Sequence, residues 1–91
     1  MELVNVVEKA VWQNIDAIMA EKPDMCKCPK CRADVAAVAL NNIKPRYTVS
    51  EAGAVITRAE ILDQSIMVNI MVAIAMAVEQ VYQKPRHDGS C

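Results

Sequence analysis

The 91-residue chain carries 10 basic and 11 acidic side chains, a net charge of −1, and so lacks the basic surface on which general nucleic-acid binding depends. Apolar residues make up 54% of it, but only one Trp and two Tyr are aromatic and Phe is absent, so the core of this one small domain must be aliphatic. A core of that size is marginal for a lone monomer, and a metal or a partner chain would reinforce it.

The opening stretch MELVNVVEKAVWQNIDAI interrupts its apolar residues with Glu, Asn and Lys. It has no basic leader, uninterrupted apolar run or cleavage site, so it does not read as a signal peptide. Val4, Val7, Val11, Ile15 and Ile18 fall at helical spacing, with Glu2, Asn5, Lys9, Gln13 and Asp16 opposite. The pattern predicts an amphipathic first helix of about five turns that ends before Pro23.

Cys26, Cys28 and Cys31 then form C-x-C-x-x-C. Thiolates must converge on one ion at about 2.3 Å, and close spacing on a tight loop achieves this at small entropic cost. The N–H groups of a following helix also favour negative sulfur. A local disulfide, a redox-active C-x-x-C at Cys28 and Cys31, and an iron–sulfur cluster compete with zinc. A cytoplasmic chain keeps its thiols reduced, and no strand precedes the C-x-x-C, so zinc in a structural role is the preferred reading. Three thiolates leave one tetrahedral position. Cys91 ranks first for it and His87 is the alternative, because the tail after a long last helix could return to the loop if that helix packs antiparallel to the second.

Pro29 can open the second helix at its first position, with Val35, Val38 and Ala39 facing inward. Asn41, Asn42 and Pro45 end it. Two β-prone runs follow, residues 47–49 and 55–57, separated by the turn-like SEAG, and predict a short β-hairpin. Thr57 with Glu60 fits a capping box, so the third helix is expected from there to about Tyr82, with Pro85 beyond its end. Residues 66–78 are apolar except for Asn69, too short a run to span a bilayer. A helix apolar almost all round is buried on most faces, and so small a chain can hardly cover it. A homodimer through the third helix is therefore expected, with Ile70 and Ile74 at its interface. Residues 1–91 read as a single domain, with 84–91 a flexible or metal-stapled tail. An enzyme is a poor reading: the one His lies in that tail, two glycines make no phosphate loop, and no carboxylate pair flanks the cysteines.

The run CKCPKCRADVAAVALNNIKPRY resembles the ComFB family of late competence development proteins. The resemblance rests on Cys26, Cys28, Cys31, Asp34, Val35, Ala37, Val38, Ala39, Leu40, Asn41, Pro45 and Tyr47, and on TRAEILD at 57–63. It covers roughly residues 4–85, and Lys44 stands where many members have a second proline. The resemblance implies a mainly helical homodimer with bound zinc. It also implies binding of a cyclic dinucleotide, since some bacterial members are receptors for cyclic di-GMP that affect motility, pili or DNA uptake.

Residues 27–46 hold Lys27, Lys30, Arg32, Lys44 and Arg46 against one acid, Asp34. Lys27, Lys30 and Arg32 could simply balance thiolate charge. Lys44 and Arg46 flank Pro45 and precede Tyr47, a rigid basic segment beside an aromatic ring. Arg46, Arg32, Tyr47 and Lys44 are thus candidate ligand contacts, since an arginine fork suits phosphate or a guanine edge and a ring can stack. Asn41 and Asp34 are candidates too, with helix capping and helix-dipole charge as their competing roles. The expected molecule is mainly α: three helices, a zinc-binding cysteine loop between the first two, and a hairpin before the third. As a cytoplasmic dimer it would bind a cyclic dinucleotide and an unknown protein partner, and no membrane. The alternative is a structural adaptor of the competence system that binds only proteins. A component touching nucleic acid directly is disfavoured by the acidic balance.

Overall fold

The computed structural model describes residues 2–50 and 64–84. The elements run β1 (Glu2–Asn5), α1 (Val6–Met19), α2 (Pro29–Asn41), β2 (Tyr47–Ser50) and α3 (Gln64–Gln83). The mainly helical class, the three helices and the cysteine loop between the first two agree with the expectation. The run 55–57, the SEAG turn, the capping box at Thr57 and Glu60, His87 and Cys91 lie outside the described residues.

The first residues depart from the expected helix. β1 pairs antiparallel with β2, Leu3 opposite Val49 and Asn5 opposite Tyr47. The strand at 47–49 is therefore present, and its described partner comes from the other end of the domain. Asn5 explains the change. Its backbone is extended (φ −88°, ψ 106°), and its Oδ1 accepts from the Val7 N–H at 3.1 Å, which caps α1 at Val6 instead of Val4. The same oxygen accepts from the Arg46 N–H at 3.1 Å, and the Val6 N–H donates to the Arg46 carbonyl at 2.8 Å. One side chain thus starts a helix and fastens the entry to β2. Side chains alternate along strands, so Val4 and Thr48 share the half-buried face, while Leu3, Tyr47 and Val49 are exposed on the other.

The three helices bury one stripe each. α1 contributes Val7, Val11, Ile15 and Met19, and α2 contributes Cys31, Val35, Ala36 and Ala39. α3 contributes Ile70, Ala73, Ile74, Ala77, Val78 and Val81, a 3.6-residue periodicity that packs against both other helices. Alanines at the contacts let the axes approach closely. Ile15, Ile70 and Ile74 are all 0% exposed, and each such burial contributes about 1.5–3 kcal/mol.

Ile70 and Ile74 therefore belong to the chain's own core and not to an outer interface. Period alone could not choose between the faces of a helix that is apolar all round. The outward face holds Val68, Met71, Val72 and Met76, the last 61% exposed. By length and composition the 20-residue α3, with mean hydropathy 1.6, could cross a bilayer. Here its inner stripe serves as core for α1 and α2.

Two ion pairs fasten the helices from outside. Arg32 on α2 grips Asp16 on α1 through both nitrogens of its fork (2.7 and 3.1 Å), and its guanidinium lies 5.1 Å from the centre of the Trp12 ring. This bond holds the Asp16 carboxyl below the usual carboxylate range and raises Arg32 further. Lys22, just past α1, meets Glu79 at 2.7 Å and lies over the Tyr82 ring at 4.8 Å. Both pairs are exposed, so they orient more than they stabilise.

Asn5→Ala should cost about 0.5–2 kcal/mol through the lost cap. In a domain of this size that lowers the melting temperature by about 4–8 °C per kcal/mol. Asn5→Asp keeps the acceptor and should stay near wild type. Thermal unfolding by circular dichroism checks both, and equal losses in the two variants would contradict the capping role.

Candidate functional site

The cysteine loop is built by the end of α1 and the start of α2. Successive turn bonds close α1: the Ala20, Glu21 and Lys22 N–H groups donate to the Asp16, Ile18 and Met19 carbonyls, at 3.0, 3.1 and 3.0 Å. The Met25 N–H donates to the Lys22 carbonyl at 3.0 Å, and the buried Met25 side chain anchors the loop in the core. Lys27 ties the loop's carbonyls together, its Nζ donating to Lys22 O at 2.7 Å and Met25 O at 3.2 Å. Cys28 is the N-cap of α2 and Pro29 its first residue.

The sulfurs of Cys26, Cys28 and Cys31 all lie within 4.8 Å of one another, a group that could hold a metal ion. Sulfurs around a tetrahedral zinc stand about 3.8 Å apart when each is about 2.3 Å from the ion, so a small contraction would complete the geometry. The Cys31 N–H donates to Cys28 Sγ at 3.5 Å, and this bond holds the Cys28 thiol below its ordinary value. Burial pushes the Cys31 thiol up, and the Cys28 sulfur and Asp34 carboxylate push it the same way. Cys28 is thus the first of the two to become a thiolate. Cys26 is disulfide-bonded, whereas Cys28 carries a free thiol. A metal site of all three requires Cys26 reduced, because a disulfide sulfur has no thiolate to offer.

The other candidate residues separate into two groups. Arg32 is committed to Asp16 and Trp12. Asp34 points inward on α2, with Lys30 Nζ 3.3 Å from its Oδ1 and its buried Oδ2 without a hydrogen-bond partner. Tyr47 is exposed on the sheet and Asn41 at the end of α2, and neither is among the residues that line the cleft described next. Lys44 and Arg46 do line one. A cleft of about 590 Å³ opens between the connector from α2 to β2 and the α3 helix, within the size range of small-molecule sites. Asn42, Ile43, Lys44 and Arg46 form one wall; Ile66, Asn69, Val72, Ala73, Met76 and Gln80 of α3 form the other. Val7 of α1 closes its base. Among the described residues neither Lys44 nor Arg46 has an ion pair. Asn42, Asn69 and Gln80 are cleft residues that sequence reasoning did not assign. For Asn69 a signal existed, since it is the one polar residue in the run 66–78.

The structure and the sequence have clear relatives. The competence protein ComFB of Bacillus subtilis (strain 168) is 29% identical over 83 residues, covering 91% of this chain and 85% of that protein. The solved structure of the late competence protein ComFB from Bacillus subtilis matches with a TM-score of 0.78 at 27% identity, over 99% of both chains. The family model described as late competence development protein ComFB matches residues 4–85. With that match spanning nearly the whole domain, the chain belongs to the ComFB family of competence-related proteins.

Proposed function

We propose that this ComFB-family protein is a cytoplasmic, zinc-stapled helical homodimer. It is not an enzyme: it binds a cyclic dinucleotide, cyclic di-GMP, and relays that binding to a protein partner in a competence, motility or pilus system. The observation that carries the reading is the cleft, where Arg46 and Lys44 meet an apolar wall in a protein of net negative charge. Arginine grips phosphate or a guanine edge through two parallel bonds, and the apolar wall suits a flat base. The Arg46 backbone is held at both its N–H and its carbonyl, so the side chain starts from a fixed point. Zinc fits the cysteine cluster by donor type and spacing, with Cys91 or His87 as the fourth ligand. Bound there it would supply a structural staple between α1 and α2. A second copy on the outward face of α3 would cover Val68 and Met71, the exposed apolar residues of that face that do not line the cleft.

An adaptor that binds only proteins is the second reading, and the same outward apolar face favours it, since exposed apolar patches mark interaction surfaces. Calorimetry with cyclic di-GMP separates the two. Binding should be measurable, and Arg46→Ala should weaken it by roughly 10- to 100-fold, the worth of one charge-assisted contact. Arg46→Lys should weaken it as well, with metal content unchanged in both. No heat and no thermal shift at high micromolar nucleotide would leave the adaptor reading in its place.

Protein purified under reducing conditions should hold about one zinc per chain. Cys28→Ser should lose the metal and melt at lower temperature, because metal binding and folding are coupled in small domains. Full metal content in that variant, by atomic emission, would remove the cysteine cluster from consideration.

Light scattering at micromolar concentration should give a dimer. Val68→Asp should give a folded monomer, since a charge on the shared face would be desolvated without a partner. Val68 lies outside the cleft and the core, so this variant separates assembly from folding. A monomeric wild type would end the dimer proposal.

A further inference from the structure

Along α3 the cleft residues run amide, apolar, amide. Asn69 stands toward one end, Val72, Ala73 and Met76 form the middle, and Gln80 stands toward the other end. At 1.5 Å per residue the two amide positions are about 16 Å apart along the helix axis. Both residues are exposed, and among the described residues neither side-chain amide has a hydrogen-bond partner. Asn42, by contrast, already donates through Nδ2 to the Val38 carbonyl at 2.8 Å. The facing wall carries Lys44 and Arg46.

These groups differ in what they can distinguish. Ammonium and guanidinium groups only donate, so they attract anions with little regard to the ring attached. A carboxamide places a donor and an acceptor side by side, and so can tell one heterocycle edge from another. An interior apolar stretch suits ring faces and sugar carbons and contributes no directional preference. We infer that Asn69 and Gln80 are the specificity-determining residues of the cleft, each reading the hydrogen-bonding edge of a planar heterocycle, while Arg46 and Lys44 hold the anionic middle of the ligand. The ligand class is then an elongated dianion with a planar, amide-edged ring toward each end. This rests on the receptor reading and adds how the cleft discriminates.

The test measures affinity for cyclic di-GMP and cyclic di-AMP, in parallel, on the wild type and on Asn69→Leu, Gln80→Leu and Arg46→Ala. The wild type should prefer one of the two. Each amide variant should move the ratio of the two dissociation constants toward unity by about fivefold or more, the usual worth of one well-formed edge contact. Arg46→Ala should weaken both nucleotides and leave the ratio in place. Asn69→Ser and Gln80→Ala repeat the measurement should the leucine variants change oligomeric state or melting temperature. Equal affinity of the wild type for both nucleotides overturns the inference, as does an unchanged ratio in the amide variants; either result leaves the receptor reading standing. Failure of the wild type to bind either nucleotide overturns both.

Discussion

The stripe of α3 that includes Ile70, Ile74 and Val81 is the surface on which the other helices are assembled. α1 and α2 both press their apolar residues onto it, and the fully buried residues are all non-aromatic, with Tyr82 packed at the margin. Without aromatics to fill volume, the core gains its density from close helix approach at Ala36, Ala39, Ala73 and Ala77. That requirement fixes how α1 lies against α2, and hence where the intervening cysteine loop can be. Among the described residues it also leaves Val68 and Met71, on the far side of α3, exposed.

The last turns of α3 serve two neighbourhoods at once. Glu79 and Tyr82 hold Lys22 at the edge of the cysteine loop, while Gln80 turns to the cleft. The Glu79 carboxyl is held below its ordinary range by Lys22 and by Gln83, whose Nε2 donates to it at 3.0 Å. A rotation of this end of α3 would therefore be felt by both the loop and the cleft wall, through direct contacts and without any longer route.

Much of this was legible in the sequence, for identifiable reasons. The loop was readable because C-x-C-x-x-C followed by proline is a local pattern whose consequence is local: Cys28 caps α2 and Pro29 starts it. The helices were readable from period. The strand at the beginning was not, because β1 owes its extended form to the Asn5 side chain and to a partner at the other end of the described β-pair, and Val4 fits a helical spacing by coincidence. Arg32 read as a charge for the metal or the ligand because its real neighbours, Asp16 and Trp12, lie on another helix. The inner face of α3 could not be chosen, since Ile70 and Met71 are equally apolar in sequence and only packing separates them. Arg46 and Lys44 were legible as an unusual charge density, whereas the amides across from them became visible only when α3 was placed beside the connector.

The Asn5 contacts have a consequence for the order in which the molecule assembles. Its oxygen joins residues 41 apart in sequence, whereas α1 and α2 meet across a short loop. Closing a longer loop costs more chain entropy and waits on contacts that shorten it first. The α1–α2 pair can form as soon as both helices exist, and the clasp that orients Arg46 closes only afterwards. The cleft wall that carries Arg46 thus depends on a contact between distant parts of the chain, which costs more chain entropy to close than the short turn between α1 and α2.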